Sequence, residues 1–175
     1  KRSSRVLFRS FALFAALTGM FFVATPAAQA AGTPDLQASA SASSPLYGET
    51  GKVSVTASLP DGQPKGYNLS FRVVLPEGIS YAGGSEYAPT VLADQPATGE
   101  TTLLFNNISD LVANSSQTVA FDVNHDQGLY EVGLEYEIEY EAFVKTDPRI
   151  MPAFAANGTP VPASSTGNAN ASTSS

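Results

Sequence analysis

The chain has 175 residues, 43% of them hydrophobic and 14% charged, with a formal net charge of −7 at pH 7. Lys1, Arg2, Arg5 and Arg9 open the chain, whereas residues 31–175 hold 5 basic and 16 acidic side chains, hence a net −11. So acidic a body is a poor partner for nucleic-acid phosphates and for anionic membrane surfaces. A single histidine, His125, and no cysteine exclude thiol catalysis, disulfides and Cys/His zinc sites.

Residues 1–30 read as a secretory signal peptide. The basic start precedes an apolar run, Phe11–Ala24, of about 14 residues, shorter than the roughly 20 that a bilayer span needs. Pro26 and the small-x-small triplet Ala28-Gln29-Ala30 come next, which predicts cleavage between Ala30 and Ala31. The membrane is therefore expected as a partner only for the uncleaved leader. An exported body without disulfides has to hold together by burial alone, which is feasible at the ~100-residue size of an immunoglobulin-like sandwich.

A period of two dominates residues 50–145, within a sandwich domain expected over 31–147. A first strand is expected within Asp35–Ala42. Val53, Val55, Ala57 and Leu59 then alternate with Lys52, Ser54, Thr56 and Ser58, and Leu69, Phe71, Val73 and Leu75 with Asn68, Ser70 and Arg72. Shorter strands are expected at Ile79–Tyr81, Glu86–Leu92 and Thr101–Phe105, the second of them at a sheet edge because Pro89 cannot donate to a ladder. Val119, Phe121 and Val123 alternate with Thr118, Asp122 and Asn124. Finally, Val132, Leu134, Tyr136, Ile138, Tyr140, Ala142 and Val144 share one face opposite Glu131, Glu135, Glu137, Glu139, Glu141 and Lys145. Successive strand side chains point to opposite faces, so each strand is expected to have one buried face and one wet face. Turn residues punctuate the runs at Pro60-Asp61-Gly62, Pro76-Glu77-Gly78, Gly83-Gly84, Asn106-Asn107 and Asp126-Gln127-Gly128. The expected fold is all-β: an immunoglobulin-like β-sandwich of seven to eight mostly antiparallel strands. Residues 148–175 lose the pattern, and 155–175 contain neither charge nor aromatic ring. They are expected to form a disordered, low-complexity tail or linker.

Several stretches, in this order, resemble the DUF11-type repeat domain of bacterial, especially actinobacterial, surface proteins. They are Pro34-Asp35-Leu36-Gln37, Ser44-Pro45-Leu46-Tyr47-Gly48-Glu49-Thr50, Leu75-Pro76-Glu77-Gly78-Ile79-Ser80-Tyr81, Leu104-Phe105-Asn106-Asn107-Ile108-Ser109-Asp110-Leu111, Tyr130-Glu131-Val132-Gly133 and Thr146-Asp147-Pro148-Arg149. The resemblance implies an immunoglobulin-like structural or adhesive unit of a Gram-positive envelope, not a catalyst. Its implied partners are neighbouring domains or envelope and host surface proteins. Some relatives carry a Lys–Asn isopeptide crosslink between first and last strands. This chain departs from that pattern, with no lysine in Asp35–Ser43 and no asparagine in Leu134–Val144. Lys52 falls on a polar face, Lys145 on the glutamate face and Lys65 in a turn, so no lysine is expected to be desolvated and activated, and no isopeptide bond is expected.

Asp122, Asn124 and Asp126 have the i, i+2, i+4 oxygen spacing of a calcium loop. The glycine and glutamate that an EF-hand needs at loop positions six and twelve are replaced by Gln127 and Gly133. A calcium site of another type, recruiting Glu131, is kept as a candidate. No resident cofactor, catalytic motif or nucleophile–base pair is expected. The sequence therefore points to an exported, non-enzymatic structural or adhesion module, with a calcium- or carbohydrate-binding sandwich as the alternative.

Overall fold

A computed structural model describes residues 32–43, 48–126, 128–129, 133 and 135–161, together with the backbone of 166–174. The signal peptide with Ala30 and Ala31, and the candidate ligand Glu131, lie outside the described residues.

Among the described residues, nine strands form two sheets. They are β1 (Gln37–Ala42), β2 (Thr50–Leu59), β3 (Tyr67–Leu75), β4 (Ile79–Gly83), β5 (Thr90–Ala93), β6 (Thr101–Phe105), β7 (Ser115–His125), β8 (Glu137–Lys145) and β9 (Thr166–Ser174). The first sheet has the order β1-β2-β7-β4 and the second β5-β6-β3-β8-β9, with every pairing antiparallel. The alternation dictates this layering. Val53, Val55, Val119 and Phe121 from the first sheet meet Phe71, Val73, Phe105, Ile138 and Ala142 from the second, all at 1% exposure or less. Phe105 stacks on Phe121 with ring centroids 5.7 Å apart. β5 is an edge strand and begins just after Pro89, as the missing donor requires.

Antiparallel pairing also fixes where each strand starts. Gln37 faces Ser58, and Tyr67 faces Lys145, so the starts of β1, β3, β7 and β9 share one pole of the sandwich. The ends of those strands lie at the other pole, with the starts of β2, β4 and β8. β1 runs alongside β9 in the same direction. The chain therefore enters at one pole and leaves β9 at the opposite one.

Three features differ from the sequence reading. β8 begins at Glu137, and neither Glu135 nor Tyr136 belongs to a strand. The outer face of the second sheet is not wet: Ser70, Arg72, Val74, Thr102, Leu104, Phe143 and Lys145 are all buried. Part of their cover comes from residues 148–161, which the sequence pattern assigned to a structureless tail. Phe154 stands edge-on against Phe143, with centroids 5.5 Å apart. The Asn68 amide donates to the carbonyls of Pro148 (3.0 Å) and Ile150 (2.6 Å), and Asn68 adopts φ 56° at the β3 bulge. Asparagine tolerates this left-handed conformation better than most residues do. Gly158 (φ +77°) lies so close to the sheet that an added Cβ would sit 2.7 Å from the Thr102 methyl. Beyond the cover, β9 pairs along β8, where no strand was expected. Its sequence has no hydrophobic period to announce it, and the pairing is supplied by the main chain of β8.

Candidate functional site

The first candidate is the end of β7. Asp122 and Asn124 share its outer face, and Asp126 comes just after the strand. The structure does not turn their oxygens toward one point. Asp122 lies 3.6 Å from the Lys52 ammonium on the paired position of β2 and backs onto Gly84. The Asn124 side-chain oxygen accepts from the Thr50 hydroxyl at 3.1 Å. Asp126 is engaged through its backbone, donating to Gly78 O and accepting from Leu129 N–H. Among the described residues no three acidic or imidazole side chains gather as a metal cage. The spacing that suggested calcium is thus distributed over a cross-strand ion pair, a hydroxyl contact and a turn.

His125 is half-buried, edge-on to Tyr136 with centroids 6.2 Å apart, and burial pulls its pKa below the usual 6.5. The Tyr136 hydroxyl donates to Leu129 O, closing the turn over Gly78. An open cleft of about 260 Å³ beside this turn is lined by Glu77, Ile79, Ser80, Thr101, Asp126 and Leu129. It is a shallow recess with polar and apolar walls in similar measure.

The second candidate is the glutamate face. Glu137 and Glu139 are exposed and line a recess of about 190 Å³ with Glu100, Val74 and Pro76. Glu141 differs. It sits opposite Arg72, and the guanidinium meets its carboxylate at 3.2 Å with side-chain exposures of only 7% and 12%. A shared face therefore carries two solvated carboxylates at one end and a buried charge-assisted pair further along.

Lys145 corrects the sequence reading. Strand parity places it with the glutamates, but the cover leaves it 2% exposed, and its Nζ has no hydrogen-bond partner among the described residues. Burial lowers its pKa from the ordinary 10.5 because the charged ammonium loses water without gaining an acceptor. Lys52 and Lys65 behave as surface groups. Lys65 reaches Asp110 at 2.9 Å and lies 4.6 Å from the centroid of the Tyr67 ring; the hydrogen bond raises the lysine pKa and lowers that of the acid. The buried Lys145–Arg72 region was missed for want of a signal that residues 148–161 fold back. The one available hint was apolar side chains at outward positions.

No family model matches the chain, and no curated protein does. Among solved structures it is similar to AvmM, described as catalysing macrocyclization in alchivemycin A biosynthesis. The identity is 13% over 81% of this chain and 89% of that one, with a TM-score of 0.49. It is also similar to the chitin-binding domain of Chi18aC from Streptomyces coelicolor, with 15% identity over 59% of this chain and 90% of that one, and a TM-score of 0.36. Neither similarity transfers an activity or a ligand.

Proposed function

We propose that the chain is an exported, non-enzymatic structural and adhesion module of a bacterial cell envelope. The observation that carries this reading is the course of the chain: β1 starts at one pole of a closed sandwich and β9 ends at the other. Tension applied through the two ends acts along the strands, in shear across the β1–β2 and β8–β9 ladders. Such a unit holds whatever is joined to its two ends apart by the length of its strands. The leader pattern and the ordered series of DUF11-like stretches support export and a surface role. The functional groups described above support a passive surface, with acids solvated, paired or spent in turns.

Single-molecule pulling through handles on residues 31 and 175 tests the reading. An abrupt rupture of the sandwich is expected, releasing residues 37–161 at roughly 3.5 Å each, whether or not β9 has already parted from β8. Gradual extension without a rupture would remove it. Sequencing of the exported protein should find Ala31 as the first residue. Calorimetry with calcium and a glycan array examine the alternative, and specific heat or specific hits would replace the passive module with a ligand-binding one.

A further inference from the structure

We propose that β9 is an exchangeable strand, so that the edge of β8 accepts Thr166–Ser174 from a second copy of this chain and couples two molecules by reciprocal strand addition. The proposal goes beyond the spacer reading and does not depend on it.

β9 is registered along β8 from Glu137 opposite Ser174 to Val144 opposite Thr166, with a register shift between Phe143 and Val144. Yet its sequence, TGNANASTS, has no charge and no apolar residue larger than alanine. Its attraction to β8 therefore resides chiefly in main-chain hydrogen bonds, which any copy of the strand supplies equally well. Strands that are polar on both faces specify their partner weakly and are prone to alternate pairing and swapping.

Apart from β1, which runs beside it, the elements around β9 are fastened without it. β8 is held on its other edge by β3, and Ile138, Tyr140, Ala142 and Val144 anchor it in the core. The cover on its outer face is fastened separately, through Asn68, Phe143 and Thr102. If β9 leaves, it uncovers the flank of β1 beside it and, on β8, a row of main-chain donors and acceptors on a strand that stays in place. This is the template that extended segments add to. The acidic bodies repel one another, so coupling should strengthen as salt screens them.

The absence of cysteine makes the test direct. Glu139 faces Ser172 across the ladder, and directly opposed antiparallel residues lie within disulfide reach. Chains of residues 31–175 carrying E139C alone are mixed with chains carrying S172C alone under mild oxidation. The expected result is a mixed crosslinked dimer in several-fold excess over the random background, set by pairing E139C with S54C on the outer face of the first sheet. The yield should rise with concentration and salt. The double variant E139C/S172C should close within one chain, and once closed it should no longer capture S172C chains. Mixed crosslinks no more abundant than the S54C background at every concentration and salt would overturn the proposal. So would undiminished capture by the closed double variant.

Discussion

The two sheets share one core and differ on their outer faces. The first presents Ser54, Thr56, Thr118 and Asp122 to water, with a hydroxyl pair, Thr56–Thr118, at 2.7 Å and an exposed Lys52–Asp122 contact. The second buries Val74, Leu104, Phe143, Arg72 and Lys145, and residues 148–161 lie against Asn68, Phe143 and Thr102. Identical chemistry therefore has different weight on the two sides. An ion pair in water is screened and contributes little, whereas the same pair out of water is costly to break.

The largest contrast is expected between outward residues of the two sheets. Phe143→Ala should lose about 3 kcal/mol or more, as for other buried aromatics, while Thr118→Ala should stay within about 0.5 kcal/mol. Chemical denaturation measures both, and equal losses would abolish the distinction. The ion pairs come next. Arg72→Met strips the buried Glu141 carboxylate of its guanidinium and should cost about 3 kcal/mol, whereas Lys52→Met should cost less than about 1 kcal/mol. Added salt should weaken the Lys52 contribution alone.

Lys145 gives a smaller effect with a pH signature. The unfolded chain holds the proton up to about the ordinary 10.5, while the folded chain releases it earlier. Between those two values the unfolded state binds more protons, so stability climbs with pH and levels off above 10.5. Lys145→Met should raise stability at neutral pH by roughly 1 kcal/mol. The difference between variant and parent should shrink as pH approaches 10.5; a difference constant with pH would mean that the amine is not desolvated. His125 gives the smallest effect. With its pKa held below 6.5, it should destabilise the fold slightly as pH falls through that value, and His125→Gln should remove that slope.

Much of this fold was legible because its strands obey a simple rule. The alternations at Val53–Leu59, Leu69–Leu75 and Val119–Val123 became β2, β3 and β7, and Pro89 marked the edge beside β5. The outward apolar residues Val74, Leu104 and Phe143 broke the alternation. That is the mark of strands buried on both faces, but nothing in residues 148–161 advertised the covering layer. The candidate site was less legible. The spacing of Asp122, Asn124 and Asp126 is a pattern along one strand, and whether three oxygens converge depends on what lies across the ladder. There Lys52 and Thr50 engaged two of them.

The sequence alone determined the strand class, the inward residues and the sign of the body's charge. A period of two and a count of ionisable groups are local properties that need no partner. Only the tertiary structure decided that Lys145 is dry, that Glu141 is paired and that the uncharged C-terminal segment lies along β8. Burial and strand addition depend on what the rest of the chain brings alongside, and β8 offers main-chain groups that bond a strand of almost any sequence.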